Sequence, residues 1–358
     1  MRILHVITSL RTGGAEKLMV DLLPRMRAKG HEVDLCVFDG VRTPFYEELE
    51  RQGVKVIPLG KSVYSLSNIC KLIPLMSGYD IVHSHNTACQ YFVAISSLFV
   101  KCRIFTTEHN TSNRRRGSKF WKVMDRWMYK RYNGIICISE ETRHHLVNFI
   151  DGNTSVYANK IRVVNNGIDV ASYSKSRMMP HCASSVKTII MVSAFRWEKD
   201  QKTVIRALIH LGEGYRVWFV GGGDESLMKE CQVLVRELGV EKQVEFLGVR
   251  SDVVDLMHQA DVLVQSSHID GFCLAAVEGM ASGLPVVVSD IPGIGDIVRG
   301  AGILFPPEDD RVLAYEIREL CKDEEYAKKV AVKCQERAKM FDIEVMVSMY
   351  MNAYERVQ

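Results

Sequence analysis

Arg2-Ile3-Leu4-His5-Val6-Ile7, running into Thr8-Ser9-Leu10-Arg11-Thr12-Gly13-Gly14-Ala15-Glu16, sets the terms for the whole chain. A short apolar run gives way to a turn with two glycines, and an amphipathic stretch at 15–29 follows. This is the start of a βα unit, in which a strand covered on both faces is apolar almost throughout. The same alternation continues outward. Strands are expected at 2–8, 32–38, 54–58, 80–84, 103–107 and 134–138, with helices at 15–29, 43–52, 66–76, 87–99, 118–132 and 140–149. The pattern breaks at Val163-Val164-Asn165-Asn166-Gly167-Ile168-Asp169, where Asn-Gly marks a turn. The polar stretch 172–185 has no usable period and reads as a linker with an exposed loop.

The alternation then restarts, with strands expected at 187–193, 215–221, 243–247, 261–265 and 285–289. Helices are expected at 200–211, 224–238, 251–259, 273–282, 294–299, 309–322, 324–340 and 343–357. The fold class is therefore α/β, with two doubly wound parallel sheets in series. The expected domains are 1–168 and 169–342, with the last helix, 343–358, packing back on the first. In open parallel sheets ligands bind beyond the carboxyl ends of the strands.

The 358 residues suit two domains, and an apolar share of 47% with 25% charged residues is that of a globular protein. No apolar run reaches the ~18–20 residues that span a membrane. The opening reads as a strand rather than a signal peptide. The ten cysteines contain no CxxC pair and read as reduced structural thiols, so a cytoplasmic protein is expected. Charge is uneven. Residues 1–168 hold 24 Lys and Arg against 14 Asp and Glu, a net of +10, while 169–358 hold 22 against 29, a net of −7. The first half is expected to meet something anionic.

Four segments carry the chemistry. Gly13-Gly14 precedes a helix, and serves either as an anion cradle or as a plain tight turn. Gly221-Gly222-Gly223-Asp224 repeats the device in the second domain, and three glycines there favour a diphosphate cradle. Asp270-Gly271-Phe272-Cys273-Leu274-Ala275-Ala276-Val277-Glu278 opens a helix after a strand, with two carboxylates eight residues apart. Glu278 lies among Val277, Met280 and Ala281, and a carboxylate in such company needs a partner, which a ribose diol would supply. Finally, 114–131 holds eight basic residues and one acid with interleaved aromatics and methionines. It reads either as a helix lying on an anionic membrane or as a surface helix whose apolar face is core. Nucleic acid is not an expected partner, because the basic excess is local.

The order of these motifs resembles that of the retaining glycosyltransferases of family 4, glycosyl transferases group 1. The resemblance rests on Gly-Gly-Ala-Glu at 13–16, Thr107-Glu108-His109-Asn110, Ile138-Ser139-Glu140, Asn166-Gly167-Ile168-Asp169, Glu198-Lys199-Asp200, Gly221-Gly222-Gly223-Asp224, Phe246-Leu247-Gly248 and the acid-x7-Glu segment. It implies the GT-B fold, two Rossmann-like domains facing across a cleft. It also implies transfer of a hexose-type sugar from a UDP- or GDP-linked donor to a glycan or lipid-linked acceptor, in surface polysaccharide or lipopolysaccharide biosynthesis. A place at the inner face of the membrane would follow. No cofactor and no metal are implied, because a lysine and backbone amides do the neutralising.

The resemblance assigns roles by position. Glu278 matches the family's ribose-binding acid, and Asp270 stands where the family usually has a glutamate. Lys199 matches the diphosphate-binding lysine. Its usual arginine partner falls on Ala194, so either Arg196 reaches the phosphates or the site works with one cation fewer. Donor contacts are implied at Gly13, Gly14, Gly222, Gly223, Val249, Gly271, Phe272, Cys273 and Leu274. His109 matches a histidine near the transferred sugar, so His109, Lys199 and Asp270 form the expected catalytic set. From their place at a strand end, His83 and His85 are expected on the acceptor side with Asn86 and Asn110; their i, i+2 spacing also admits a metal, although no Asp-x-Asp follows. Other functional classes remain open on the residues alone. A nicotinamide-dependent oxidoreductase would use Asp39 at the end of the second strand, but the first turn lacks G-x-G-x-x-G. A non-catalytic sugar-binding protein and a nucleotide-sugar epimerase of the same fold are the others.

Overall fold

Along the first strand, Ile3 and Ile7 pack into one hydrophobic layer while Leu4 and Val6 pack into another. Successive side chains of a strand alternate between faces, so a strand apolar in both registers must be covered on both sides. The computed structural model bears this out and describes every residue except Thr12, Lys61, 110–117, 151–156, Ala158, 175–185 and 357–358. The chain divides into two compact units, Met1–Gly167 with Ile343–Gln358, and Ile168–Asp342.

The first unit is a seven-stranded sheet of β1 (Arg2–Ile7), β2 (Glu32–Val37), β3 (Lys55–Pro58), β4 (Ile81–His85), β5 (Arg103–Glu108), β6 (Gly134–Cys137) and β7 (Ile161–Val163). The strand order is β3-β2-β1-β4-β5-β6-β7, and every pairing is parallel. The helices are α1 (Gly14–Ala28), α2 (Pro44–Arg51), α3 (Ser67–Met76), α4 (Thr87–Ser96), α5 (Lys119–Arg131) and α6 (Glu140–Ile150). The first core layer includes Leu18, Leu22 and Met26 of α1 and Leu49 of α2. The second includes Leu72 of α3, Val93 of α4, Met128 of α5 and Leu146 of α6.

The second unit begins with α7 (Val170–Ser174). Its sheet holds β8 (Lys187–Val192), β9 (Tyr215–Val220), β10 (Val244–Gly248), β11 (Val262–Gln265), β12 (Val286–Ser289) and β13 (Ile303–Phe305). Their order is β10-β9-β8-β11-β12-β13, again all parallel. Helices α8 (Gln201–Leu211), α9 (Glu225–Glu237), α10 (Val253–Gln259), α11 (Leu274–Ala281), α12 (Ile294–Val298), α13 (Asp310–Lys322) and α14 (Glu324–Ala338) complete it. The last helix, α15 (Ile343–Glu355), belongs to the first unit, where Met346, Val347, Tyr350 and Tyr354 join the core layer of α1.

In each sheet the strand order reverses between the first strand and its later neighbour: β1 against β4, and β8 against β11. These are the switch points outside which doubly wound folds bind ligands. The strands and helices expected from the sequence are present, within a few residues at their ends. Two edge strands of three residues each, β7 and β13, were not expected, being too short to show a period. The stretch read as linker instead begins with helix α7, and its remainder, 175–185, lies outside the described residues.

Candidate functional site

At the switch point of the second unit, the segments leaving β8 and β11 are stitched together. The N–H of Asp200 donates to the carbonyl of Ser266 at 3.0 Å, and that of His268 to Glu198 at 2.9 Å. Asp200 also caps α8 by accepting from the Thr203 N–H at 3.1 Å. This frame brings Lys199 and Asp270 into an ion pair, with only 20% and 10% of their side chains exposed. Burial alone would lower the Lys199 ammonium, but neighbouring Cys273 and Asp270 more than offset this and the net shift is upward. At neutral pH the carboxylate does that work, because burial pushes the Cys273 thiol up to about 12 and keeps it neutral. Lys199 is therefore a fixed cation.

Asp270 is held from below by Gly293. The two pair as an isolated parallel bridge, and Gly293 has φ +87°. A Cβ there would run into the carbonyl of Asp270, so only glycine fits. Gly271 continues into Phe272, whose ring packs edge-on against Phe341 with centroids 5.6 Å apart. Helix α11 starts at Leu274 behind Cys273, which has no oxygen to offer the first-turn N–H groups. Further along, Glu278 accepts a hydrogen bond from the Tyr173 hydroxyl at 2.8 Å. Tyr173 is itself buried, and its carbonyl accepts from His258 Nε2 at 2.8 Å.

Other expected donor contacts fare differently. Gly221 and Gly223 have φ of +141° and +140°, and a Cβ on either would strike the Ser193–Phe195 backbone. Phe195 in turn donates its N–H to Gly222 at 2.7 Å and accepts from Asp224 at 2.8 Å. Asp224 caps α9 through the Ser226 N–H at 2.8 Å. The glycines therefore serve loop-to-loop packing, and a carboxylate already occupies the helix end. A Cβ on Gly222 would meet not backbone but the side chain of Val249, an exposed residue, at 3.0 Å. Arg196 is exposed and forms no ion pair among the described residues. At α1, Glu16 folds back over Gly13 so that its carboxylate lies at the helix start. That arrangement favours the plain turn over an anion cradle.

In the first unit the switch point is marked by a register pair, His5 on β1 against His83 on β4. His83 and His85 are both fully buried. His83 uses both ring nitrogens, with Tyr354 Oη at 2.6 Å and Thr107 Oγ1 at 2.7 Å, and Thr107 is also bonded to Tyr350 at 2.9 Å. His85 joins His5 at 2.9 Å and His109 at 3.2 Å. The expectation that His83 and His85 line an acceptor surface is thus overturned: they tie β4 to its neighbours and to α15. Burial pushes His5 down to about 3 and His109 to about 4, and takes His83 and His85 well below the ordinary histidine value. The ligand atoms of His5, His83 and His85 lie within 4.8 Å of one another. Five of their six ring nitrogens are already engaged in hydrogen bonds, all but Nε2 of His5. A cation would have to break that network.

His109, just past β5, is half-buried. Asn86 starts α4 with φ +67° and ψ +147°, a rare conformation for a residue with a side chain, and its amide donates to Thr8 Oγ1 at 3.0 Å. Strain at a switch point suits a functional position. Asn110 lies outside the described residues. Asp39 accepts from the Val41 N–H at 3.2 Å and pairs with Arg11 at 3.4 Å, so its carboxylate is engaged within the protein.

The profile described as "Glycosyl transferases group 1" matches residues 182–339, and that of "Glycosyltransferase Family 4" matches 12–172. The chain belongs to the group 1, family 4 glycosyltransferases. This glycosyltransferase is 28% identical over 370 residues to the N-acetyl-alpha-D-glucosaminyl L-malate synthase of Bacillus anthracis, covering 96% of this chain and 93% of the relative. It is 22% identical over 365 residues, covering 96% and 95%, to a Campylobacter jejuni alpha-1,4-N-acetyl-D-galactosaminyltransferase named for an undecaprenol-linked glycan. The structure of Anabaena Alr3699/HepE in complex with UDP aligns with a TM-score of 0.87 at 21% identity, covering 99% of this chain and all of that one. The fold is GT-B. Membership of this family displaces the oxidoreductase, epimerase and sugar-binding readings.

The sequence missed Tyr173, because helix α7 is too short to show a period. It also missed His5, whose signal was a polar residue at a position where the strand is otherwise apolar, which requires a partner.

Proposed function

We propose that the enzyme moves a hexose-type sugar from a UDP- or GDP-sugar to a glycan or lipid-linked acceptor, with retention and without metal or other cofactor, in surface polysaccharide biosynthesis. The observation that carries this reading is the Lys199–Asp270 pair at the switch point of the second unit, on the segment that leads to Glu278. In this reading Glu278 binds the ribose hydroxyls. An ammonium has three donors, so Lys199 keeps Asp270 while taking a phosphate oxygen, and its charge offsets what builds on the leaving diphosphate. The uncapped N–H groups opening α11 add to it. Asp270 orients Lys199 and faces the sugar side of the donor. The acceptor hydroxyl attacks from the face the phosphate leaves, and the phosphate takes its proton, so no protein base is required. The first unit supplies the acceptor side, with His109 beside the transferred sugar.

A lipid-linked acceptor is favoured by the Campylobacter relative's name and by α5. The C-terminal half of α5 is core, with Met128 and Tyr129 buried, while Phe120 and Val123 nearer its start are exposed beside Lys122. Residues 114–117 lie outside the described residues. Among the described residues no helix is long and apolar enough to cross a membrane, so contact would be peripheral, at a cytoplasmic membrane face. Co-sedimentation with anionic vesicles, lost in Phe120→Ser/Val123→Ser, tests this part.

The donor assignment is tested with Glu278→Ala, in which turnover should nearly vanish through lost donor binding. Donor affinity unchanged in that variant would sink the ribose role. A thermal-shift panel of nucleotides then identifies the base, since a ligand at 100 times its Kd adds ~2.7 kcal/mol.

A further inference from the structure

His5, His85 and His109 form a line of hydrogen bonds from inside the sheet to its carboxyl edge. Nδ1 of His5 meets Nε2 of His85 at 2.9 Å, and Nδ1 of His85 meets Nε2 of His109 at 3.2 Å. Each bond joins Nδ1 of one ring to Nε2 of the next, and a neutral imidazole has one donor nitrogen and one acceptor. The three rings must therefore share one tautomer. The ring planes of His5 and His85 are nearly parallel, 14° apart, and those of His85 and His109 are tilted by 40°.

The choice of tautomer follows from the buried end. Nε2 of His5 is buried with no hydrogen-bond partner. If the rings carried Nε2–H, that orphan would be an N–H donor, and orphaned buried N–H groups are rare. With Nδ1–H throughout, the orphan is only a lone pair. We infer that His5 and His85 are positioning residues that lock His109 as the Nδ1–H tautomer, so that it presents a hydrogen-bond donor to a hydroxyl oxygen of the transferred sugar. This rests on the placement of His109 proposed above.

The groups around the line support a neutral donor. From β4 the rings meet His83, itself bonded to Tyr354 and Thr107, and α15 brings the Tyr350 and Tyr354 hydroxyls. Glu108 turns to the other side of the sheet, where it accepts from Tyr129 at 2.6 Å and from Gln90. Neither a carboxylate nor an ammonium contacts the line among the described residues. His109 then acts as a fixed donor and not as a base, in keeping with a phosphate that takes the acceptor's proton.

The test is nitrogen NMR of the whole protein labelled in its histidine rings, with signals assigned from single variants. His5, His85 and His109 are each expected as neutral Nδ1–H at pH 7, and an Nε2–H signal from any of them overturns the inference. Kinetics add a second reading. His5→Asn places an amide donor where Nδ1 lies and should keep activity, while His5→Leu should lower kcat about tenfold, the worth of one such bond, with donor KM unchanged. Equal losses in the two variants would reduce His5 to packing and overturn its role. The tautomer measurement uses no substrate, so its outcome is independent of donor binding in Glu278→Ala, and it stands even where His5→Leu does not fold.

Discussion

The Tyr173 hydroxyl donates to Oε1 of Glu278 at 2.8 Å, joining a helix of five residues to the acid that the family resemblance places on the donor ribose. The bond fixes one carboxylate oxygen and so limits the orientations of the other. Tyr173→Phe keeps the ring and removes only this donor. A hydrogen bond to a charged group is worth about 1.5–3 kcal/mol, so donor Kd should rise at least tenfold in calorimetry while kcat at saturation changes little. Wild-type affinity in this variant would show that Glu278 needs no such support.

Lys199 and Asp270 make a separable pair. Lys199→Ala removes the cation proposed to face the leaving group, and kcat should fall about 10²–10³-fold, as for loss of one preorganised charge donor. Asp270→Asn leaves the lysine in place but removes the carboxylate that offsets its burial. Burial then acts against the ammonium, so its pKa drops and the alkaline limb of the kcat profile moves toward neutral pH. In the wild type the shift is upward, and activity should hold through the alkaline range where an ordinary lysine begins to titrate. An identical alkaline limb in Asp270→Asn would deny the pairing a role.

Much of this architecture was legible from the sequence because a strand covered on both faces is apolar in both registers, as in Ile135-Ile136-Cys137-Ile138. The period vanishes where an element is short, so β7, β13 and α7 escaped, and Tyr173 went with α7. Residue type also misled where two demands call for the same residue. Gly221 and Gly223 look like a phosphate loop, yet they are glycines because Ser193 and Phe195 press against them. His83 and His85 at a strand end look accessible, yet both are buried, and α15 covers His83 from nearly the far end of the chain, a contact no local pattern shows. Glu278 was legible because a carboxylate in an apolar helix demands a partner, although the partner found within the chain is a phenol.

Gly293 offers a test of how tightly the Asp270 segment is held. Its φ of +87° disfavours any other residue, and a Cβ would meet the carbonyls of Asp270 and Gly271. Gly293→Ala should cost about 2–3 kcal/mol and lower Tm by roughly 5–10 °C. Activity should fall further than stability explains, because relief of the clash moves Asp270 away from Lys199. Gly214→Ala is the control: its φ is not in the left-handed region and a Cβ there meets nothing within 4 Å. Equal melting temperatures for the two variants would mean that the 270–293 contact yields freely.

Acid should unfold the first unit well before neutral-pH stability would suggest. His5, His83 and His85 are buried and neutral, with folded pKa values below the ordinary 6.5, about 3 for His5. Below pH 6.5 the unfolded chain binds protons at these positions and the folded one does not, so stability falls as pH falls. The loss runs from 6.5 down to the folded values, at up to about 1.4 kcal/mol per pH unit for each histidine. Tyr354→Phe sharpens the test by removing the partner of His83 Nδ1 at 2.6 Å. That leaves a buried nitrogen unsatisfied, at a cost of about 1–3 kcal/mol, and shifts the acid transition upward. The measurement is urea unfolding from pH 7.5 to 4.5, and a stability flat across that range would mean that the cluster opens to water before the unit unfolds.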